Sequence, residues 1–356
     1  MKIKSILIKP ETESNLAKLL NLVEPGDSLA ILMHGSPDPD AIACGMALRE
    51  ILVRTKGLSR CAFVSTDPTI RQQNIELIYA MHINIQLIDK IDISSFRLLA
   101  MVDAQPSFLR GALSSLRPHL VFDHHPRGEE WSALLEDIRP SYGALSTVLT
   151  EYLLSARVKI PRNLHTALLY GIKTDTSNFD RAATMEDISS YTYHTRYANM
   201  QLIRRIELNQ TPVRFLKYFD HAYHHINNYR GRRTCFLGQV ESADVCVQVA
   251  DFFLRIIGTY YVVIAGLVED KLCVIFRGDG YRQDCGGIAK KAFGSFGKGG
   301  GHRSAARMEI PVAVVKQFAG DSLSQQSIDD FLFARLKRDY RHGNRPDEQI
   351  PPRGNI

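Results

Sequence analysis

An acid and two adjacent imidazoles form the segment best suited to chemistry in this chain, VFDHHP at 121–126. Neutral imidazole is a common metal ligand, and carboxylates are the other usual ligands of hard divalent ions. The apolar residues before Asp123 are typical of a short buried strand, and the proline after His125 ends the run. The triplet alone does not distinguish a metal site from an ordinary polar strand end.

Three other segments with acidic or histidine residues also follow apolar runs. HGSPDPD at 34–40 follows LAILM, Asp103 follows LLAMV, and Asp175 follows ALLYGIKT. In an open parallel sheet the carboxyl ends of the strands share one edge, and ligands bind in the crevice there. We therefore expect side chains that are far apart in sequence to converge at that edge.

Composition and length indicate a globular protein of two domains. The chain has 356 residues, of which 45% are hydrophobic and 23% charged,. It has no apolar run as long as a membrane span, and MKIKSILIKP at the start lacks the apolar core of a signal peptide.

Six scattered cysteines predict reduced thiols in a cytoplasm,. The net charge of +6 suits an anionic substrate, although an ordinary basic surface would give the same value,.

The order of apolar and helical patterns predicts an α/β fold with a parallel sheet. Strands are predicted at 28–33, 60–64, 83–88, 97–102 and 120–122, with helices at 12–23, 41–53, 70–79, 143–155, 163–173 and 186–196. A helical stretch, 199–228, is interrupted at Pro212. Strands at 234–240, 260–268 and 272–277 and a helix at 244–256 predict a second, smaller α/β unit. A last helix, 326–340, precedes a polar tail expected to be disordered,.

The carboxylates and imidazoles together match the needs of a pair of divalent cations. Two ions about 3.5 to 4 Å apart require several carboxylates and histidines, including a bridging carboxylate, and open positions for water and phosphate. Each acid alone has a simpler explanation: Asp40 as a helix N-cap, Asp103 as a cap, Asp175 as a polar loop residue. The joint pattern favours a two-cation site, for which the candidates are His34, Asp38, Asp40, Asp103, Asp123, His124, His125 and Asp175.

These motifs resemble those of the DHH superfamily of phosphoesterases. The matching segments are HGSPDPDAI at 34–42, VD at 102–103, DHH at 123–125 and GIKTDTSNF at 171–179, in the order found in the family. Near the other end, KGGGHRSAA at 298–306 resembles the GGGH motif of the DHHA1 domain, and NrnA-like nanoRNases carry both domains. The chain departs from the common pattern at Pro39, Cys44 and Arg307, none of which is a proposed ligand.

The resemblance implies two Mn²⁺ ions, with Mg²⁺ or Co²⁺ as substitutes. One ion would be held by His34, Asp38 and Asp103. The other would be held by Asp40, Asp103, His124 and Asp175, with Asp103 bridging. Catalytic roles would fall to Asp103, to Asp123, which would fix an imidazole tautomer, and to His125, which would contact the scissile phosphate or protonate the leaving group.

The glycine-rich stretch at 294–302 is a candidate anion site, because consecutive glycines let backbone N–H groups approach an anion. A flexible loop is the alternative. The resemblance implies substrate binding by Arg277, Lys298, Gly300, Gly301 and His302. It also implies a DHH catalytic domain at 1–200, a helical linker at 201–231, a DHHA1 domain at 232–320 and a C-terminal helix and tail at 321–356, with a cleft between the two domains that would select short chains.

The expected activity is hydrolysis of short oligoribonucleotides to mononucleotides, with 3′-phosphoadenosine 5′-phosphate as a further substrate to test. A phosphodiesterase acting on linear or cyclic dinucleotides is one alternative, and a catalytically dead nucleotide-binding regulator is another. We expect a cytoplasmic enzyme that binds neither a membrane nor long DNA stably. The sequence leaves open whether it forms a homodimer.

Overall fold

The computed structural model describes residues 8–69, 71–128, 130–180, 183–208 and 211–341. The tail predicted to be disordered lies outside the described residues. The chain divides into two compact units, Met1–Gln210 and Thr211–Ile356. Among the described helices, none is both long enough and apolar enough to cross a bilayer. The predicted domain boundaries stay predictions.

The first unit is built on a six-stranded sheet in which every neighbouring pair is parallel, in the order β3-β2-β1-β4-β5-β6. The strands are β1 (Ser28–Met33), β2 (Arg60–Ser65), β3 (Ile85–Leu87), β4 (Leu98–Val102), β5 (Leu120–Asp123) and β6 (Leu135–Ile138). The helices are α1 (Pro10–Leu22), α2 (Pro39–Lys56), α3 (Gln72–Met81), α4 (Leu145–Ser155), α5 (Arg162–Asp175), α6 (Met185–Thr195) and α7 (Met200–Leu208). Short 3₁₀ segments are Ile88–Lys90, Ile93–Ser95, Pro106–Phe108 and Gly111–Ser115. The predicted parallel sheet is confirmed.

The central strand β1 is buried on both faces. Leu29 and Ile31 pack in the core beneath the helices, whereas Ala30 and Leu32 pack in the core on the opposite face. The sequence of a parallel strand that is covered on both faces is a continuous run of apolar residues, without alternating polar ones. For this reason the run at 29–33 has no polar residue until His34.

The strand order reverses between β1 and β4. The chain moves outward from β1 to β3 and then returns to place β4 against the other side of β1. In this register Met33 pairs with Val102, and Val102 with Phe122. Ligands in such sheets bind beyond the carboxyl ends of the strands at this reversal. The residues that follow β1, β4 and β5 therefore leave the sheet side by side.

The second unit has a mixed six-stranded sheet in the order β11-β12-β10-β9-β8-β7. Only β8 and β9 run parallel among its described pairs. Its strands are β7 (Asn227–Tyr229), β8 (Arg232–Gln239), β9 (Tyr261–Val268), β10 (Lys271–Gly278), β11 (Lys298–Gly301) and β12 (Ala305–Pro311). Its helices are α8 (Leu216–His225), α9 (Ala243–Leu254), α10 (Cys285–Phe293), α11 (Val312–Ala319) and α12 (Gln325–Arg341), with a 3₁₀ turn at Val213–Phe215. The predicted second α/β unit is confirmed.

A buried pair of histidines joins α5 to α6. Nδ1 of His165 lies 2.7 Å from Nδ1 of His194, and Nε2 of His194 lies 2.8 Å from Oγ1 of Thr150. The Thr150 hydroxyl donates its only hydrogen to the carbonyl of Ser146. His194 must therefore donate from Nε2 and accept at Nδ1, and His165 donates to it. This arrangement requires the His194 ring to be neutral, and burial favours the neutral form of His165 as well,.

We expect the first unit to lose stability as the pH falls from about 6.5 towards 4. Burial lowers the pKa of His165 to about 4 and holds the pKa of His194 well below its ordinary value. The unfolded chain then binds protons that the folded chain does not, so protonation favours unfolding. At pH 5 the loss should be roughly 1 to 2 kcal/mol for His165 alone.

Urea unfolding at a series of pH values measures this loss. His165→Phe should be less stable than the unaltered protein at pH 7.5, because it leaves Nδ1 of His194 unpaired, but should lose less on acidification. The exposed His82 is a suitable control, and His82→Asn should leave the acid-induced loss unchanged. An equally steep loss in His165→Phe would contradict the prediction.

Candidate metal centre

The loop after β1 delivers two aspartates to the start of α2. Asp38 is the N-cap, and its Oδ1 accepts a hydrogen bond of 2.9 Å from the amide of Ala41. The alternative explanation of Asp40 as the N-cap does not hold, because Asp38 is the cap and Pro39 occupies the first helical position,. Burial raises the pKa of Asp38, the Ala41 amide opposes this, and the charge of Asp175 adds to it.

Asp40 is fully buried in the first turn of α2. Its two carboxylate oxygens accept hydrogen bonds from the first amides of α4, from Leu145 at 2.7 Å and from Ser146 at 2.9 Å. A carboxylate at a helix N-terminus lies at the favourable end of the helix dipole. Burial and then the charge of Asp175 nevertheless raise the pKa of Asp40 to about 7. A bound cation would favour its ionised form.

Asp103 follows β4 in a left-handed backbone conformation, with φ of +56°. This conformation is uncommon outside glycine, although aspartate tolerates it better than most residues. The Asp103 amide donates to the carbonyl of Phe122 at 2.9 Å, which ties the turn to β5. Burial, and next the charge of Asp38, raise the pKa of Asp103 well above its ordinary value. Such strained residues concentrate at functional sites.

The hydrogen bond made by His124 determines which ring nitrogen is available to a ligand. Its Nδ1 lies 3.0 Å from the carbonyl oxygen of Tyr142, which can only accept, so Nδ1 carries the proton,. In the neutral ring Nε2 is then a lone-pair donor. This atom is 3.4 Å from Oδ1 of Asp103 and 2.9 Å from Oδ2 of Asp175. Burial lowers the pKa of His124, but the two carboxylates outweigh burial and raise it to about 12.

His125 is oriented by the buried carboxylate of Asp123. Oδ1 of Asp123 lies 2.8 Å from Nδ1 of His125 and accepts from the backbone amide of His124 at 2.9 Å. The hydrogen bond to Asp123 raises the pKa of His125, although burial opposes it. The His125 side chain is 46% exposed, so the ring is open to solvent.

Gln105 is a functional residue that the sequence interpretation missed. It is fully buried, and its Nε2 donates to Oδ2 of Asp123 at 2.7 Å and to the carbonyls of His125 and Pro126, both at 3.1 Å. Its Oε1 accepts from the amide of Gly128 at 2.7 Å. One amide side chain thus fixes the loop that carries the two histidines. The only feature in the sequence that could have indicated Gln105 is its position two residues after Asp103. A neutral amide is not a typical metal ligand, so the sequence prediction did not include it.

Asp175 reaches the site from a helix rather than from the sheet. The sequence predicted a helix at 163–173 just before it, and Asp175 is the last residue of α5. A carboxylate at a helix C-terminus faces the negative end of the dipole. A cation beside it would offset this repulsion.

Two groups of possible ligands result, and they share His124. Atoms of Asp103, His124 and His125 lie within 4.8 Å of one another, as do atoms of Asp40, His124 and Asp175. Three of the four residues predicted for one ion, Asp40, His124 and Asp175, thus lie in one group, and the fourth, Asp103, lies in the other. In the described part of the chain, His34 and Asp38 are in neither group, and the imidazole of His34 is 6.2 Å from the ring of Phe108. Both predicted ligand sets stay predictions.

The donor atoms fit a divalent cation. Oδ1 of Asp103 and Nε2 of His124 are both buried and make no hydrogen bond of acceptable geometry within the described residues. A buried polar atom in this state needs an explanation, and an ion is one of the standard ones. Carboxylate oxygens with one or two imidazoles suit Mn²⁺ and related ions.

The predicted substrate-binding residues lie in the second unit. Arg277 is on β10, and its Nε donates to Oδ1 of Asp251 at 2.8 Å. The glycine-rich run forms the exposed edge strand β11, paired with β12, and His302 follows it. A Cβ added to Gly301 would lie 2.3 Å from the carbonyl oxygen of Ala305, whereas one added to Gly300 would meet nothing within 4 Å. Gly301 is therefore required by strand packing, and Gly300, like Lys298, borders open space.

The arrangement at the edge of the first sheet has a counterpart in a known family. Residues 28–172 match the model of the DHH family, N-terminal domain. This DHH match includes the whole parallel sheet and every proposed ligand except Asp175, which lies three residues beyond its end. It supports a phosphoester hydrolase of the DHH superfamily. The match does not extend to the second unit, so the DHHA1 assignment stays a prediction.

Two further proteins are similar over most of the chain. The uncharacterized protein MJ1633 of Methanocaldococcus jannaschii is 28% identical over 341 residues, which cover 94% of this chain and 69% of that protein. The crystal structure of an exopolyphosphatase-related protein from Bacteroides fragilis aligns with a TM-score of 0.64 at 16% identity, covering 92% of this chain and 98% of the other. At this identity the likeness shows the fold.

Proposed function

We propose that this protein is a two-metal phosphoesterase that hydrolyses short oligoribonucleotides to mononucleotides, with Mn²⁺ as the preferred ion. The observation that carries the proposal is the pair of ligand groups sharing His124, in which a buried carboxylate oxygen and a buried imidazole nitrogen make no hydrogen bond of acceptable geometry to any described residue. Both atoms are therefore open to a further ligand, and a divalent cation would satisfy them.

The chain's own residues have distinct roles in this proposal. Asp40, Asp103, His124 and Asp175 would hold the cations, together with His34 and Asp38. Bound divalent ions supply charge stabilisation on the phosphoryl oxygens and ease the ionisation of water. His125, held by Asp123 and half-exposed, would contact the phosphate or give a proton to the leaving oxygen,.

Features of the second unit support a nucleotide substrate. The exposed edge strand β11 offers backbone N–H groups on a flank where no other described strand pairs,. Lys298 brings a positive charge to this edge, and the whole chain carries a net charge of +6. We assign Arg277, Lys298, Gly300, Gly301 and His302 to binding of the substrate. All six cysteines are free, which supports action in a reducing cytoplasm,.

A cleavage assay with and without metal tests the proposal. Protein freed of metal with EDTA should not cleave 5′-labelled RNA of two to five nucleotides, and excess Mn²⁺ should restore release of mononucleotides, because the ligand groups are then filled. A long RNA should be cleaved much more slowly. Cleavage that persists in EDTA, or none with Mn²⁺, Mg²⁺ or Co²⁺, would contradict the metal assignment.

The same assay distinguishes between the candidate substrates by their rates of hydrolysis. Linear and cyclic dinucleotides and 3′-phosphoadenosine 5′-phosphate belong in the panel beside the short RNAs. A strong preference for a dinucleotide over three- to five-nucleotide RNA would replace the oligoribonuclease proposal with a dinucleotide phosphodiesterase. Metal binding without hydrolysis of any of them would favour a nucleotide-binding regulator.

A further inference from the structure

A buried polar network lies behind the carbonyl group that fixes the His124 tautomer. The hydroxyl of Tyr142, the residue that provides this carbonyl, donates to Oε1 of Glu151 at 2.8 Å. Oε2 of Glu151 accepts from Nη1 of Arg139 at 2.9 Å and from the hydroxyl of Thr12 at 2.5 Å. Nη2 of Arg139 donates to Thr12 at 2.9 Å, so Thr12 links helix α1 to both charged groups.

A second carboxylate completes the network on the far side of Arg139. Asp137 accepts from Nε of Arg139 at 2.7 Å and from its Nη2 at 2.9 Å. The hydroxyl of Tyr152 donates to the same carboxylate at 2.7 Å. Arg139 is 6% exposed, Asp137 2% and Glu151 0%. Every charged atom named here is therefore hydrogen-bonded within the protein.

Burying three charged groups costs several kcal/mol before their mutual attraction is counted, so a network like this is weak evidence for stability alone. The backbone hydrogen bonds of its residues indicate instead that the network positions the segments around His124. The amide of Arg139 donates to the carbonyl of Asp123 at 2.9 Å, and the amide of Tyr142 donates to the carbonyl of Arg139 at 3.1 Å. The network thus joins the end of β5, which carries the histidines, to the turn that carries the Tyr142 carbonyl.

We propose that Tyr142 is a positioning residue for the metal ligand His124, held in place by the buried Arg139–Glu151–Thr12 network. Tyr142 touches neither substrate nor metal. Its hydroxyl group anchors the turn, and the turn holds the carbonyl that keeps the proton on Nδ1 and leaves Nε2 for the ion. The inference rests on the proposed metal site.

The expected effect is on metal affinity. Removing a partner that orients a ligating histidine typically costs about 10- to 100-fold in affinity or activity. Tyr142→Phe keeps the backbone carbonyl and removes only the hydroxyl that bonds Glu151. The next residue, Gly143, keeps its hydrogen bond, because its amide donates to Asp187 at 2.9 Å. We therefore expect a rise of about tenfold in the Kd for Mn²⁺, at the lower end of this range.

Tyr152→Phe provides a matched control. It removes the same kind of group, a phenol hydroxyl bound to a carboxylate of the same network, but the carbonyl of Tyr152 accepts from no imidazole within the described residues. Because Tyr152 is fully buried and Tyr142 only partly, Tyr152→Phe should lose at least as much thermal stability as Tyr142→Phe,. Only Tyr142→Phe should bind Mn²⁺ more weakly. Thr12→Val removes the hydroxyl that bonds Glu151 and Arg139 but leaves the bond between Tyr142 and Glu151, so it should weaken binding less, and it serves if Tyr142→Phe does not fold.

Electron paramagnetic resonance of free Mn²⁺ during titration of the metal-free full chain measures the Kd directly. Hydrolysis of short RNA by Tyr142→Phe should recover to within about twofold of the unaltered protein at saturating Mn²⁺, because the reacting groups remain intact. Unchanged affinity in Tyr142→Phe, or an equal loss in Tyr152→Phe, would overturn the positioning role while the metal site stands. Absence of Mn²⁺ binding by the unaltered protein would overturn both proposals.

Discussion

Asp103→Asn is expected to lower Mn²⁺-dependent hydrolysis by at least about a thousandfold and yet leave the metal-free protein no less stable. Oδ1 of Asp103 is the carboxylate oxygen 3.4 Å from Nε2 of His124, and the variant removes its negative charge at constant shape. A metal ion contributes several kcal/mol to such reactions, and about 4 kcal/mol corresponds to a thousandfold in rate. Asparagine also tolerates the positive φ of this position,.

The same substitution should not destabilise the metal-free protein, in contrast to its effect on activity. Burial raises the pKa of Asp103, so the folded chain holds the proton more tightly than the unfolded chain. The stabilisation is present at low pH and is lost as the pH rises from the unfolded pKa, about 4, towards the folded value. At neutral pH without metal, burial of this carboxyl group, which is ionised in the unfolded chain, therefore destabilises the folded state,. The neutral amide removes this destabilisation, so Tm without metal should stay equal or rise.

Thermal melts in EDTA and rates in Mn²⁺ on the same samples test both halves. Asp89→Asn is the control, because this exposed carboxylate pairs only with Lys90, at 3.5 Å, within the described residues. It should change neither quantity. If Asp103→Asn kept a tenth of the activity, Asp103 would not be a bridging ligand.

The buried strands of the first unit could be predicted because parallel strands covered on both faces are continuous apolar runs. The run at 98–102 is an example, and all its residues are buried in β4. By contrast β6 has the sequence LEDI, in which two adjacent acidic residues lie between two apolar ones. Its Asp137 is buried by pairing with Arg139, a tertiary contact that no local pattern reveals.

The second unit was harder to predict at its glycine-rich end. Consecutive glycines have low strand propensity, and β11 is a strand because β12 pairs with it and leaves no room for side chains at Gly301,. Likewise α10 contains two glycines in its first turn, and its N-terminus is capped by Asp284, which accepts from Gly287 at 3.1 Å. Long-range pairing thus outweighed local preference.

Charged residues of the candidate site could be named from sequence because parallel strands end at one edge. Asp103 and Asp123 follow this rule. The neutral residues that orient them could not be named. Gln105 and the carbonyl of Tyr142 act through hydrogen bonds whose partners depend on the fold, and a backbone carbonyl leaves no trace in a sequence.

Gly171→Ala is expected to lower activity more than a hundredfold through Asp40, although Gly171 offers no side chain to the site. Gly171 lies on α5 where this helix meets α2. An added Cβ would lie 2.6 Å from Oγ of Ser146, 2.9 Å from Oδ1 of Asp40 and 3.1 Å from Cα of Asp40. Because one of these neighbours is backbone, the helices must separate, at a cost of about 1 to 3 kcal/mol.

Separation of the two helices would displace Asp40, a proposed metal ligand whose two carboxylate oxygens both accept hydrogen bonds. Asp40 keeps its place through the amides of Leu145 and Ser146, so a shift of α2 loses these bonds and moves the carboxylate away from His124 and Asp175. A misplacement of about 1 Å costs on the order of a hundredfold in rate. We expect Gly171→Ala to lower both Tm and the affinity for Mn²⁺, measured by melting and by titration.

Gly45→Ala distinguishes this effect from a general packing defect. Gly45 is on α2, and its added Cβ would lie 3.2 Å from the ring of Phe63 and 3.5 Å from a methyl group of Ile31, with no ligand among its nearest neighbours. It should lower Tm by a comparable or smaller amount and leave the Kd for Mn²⁺ unchanged. If the two variants lost metal affinity equally, loosened packing would explain the loss, and the close approach of Gly171 to Asp40 would have no specific role in the site.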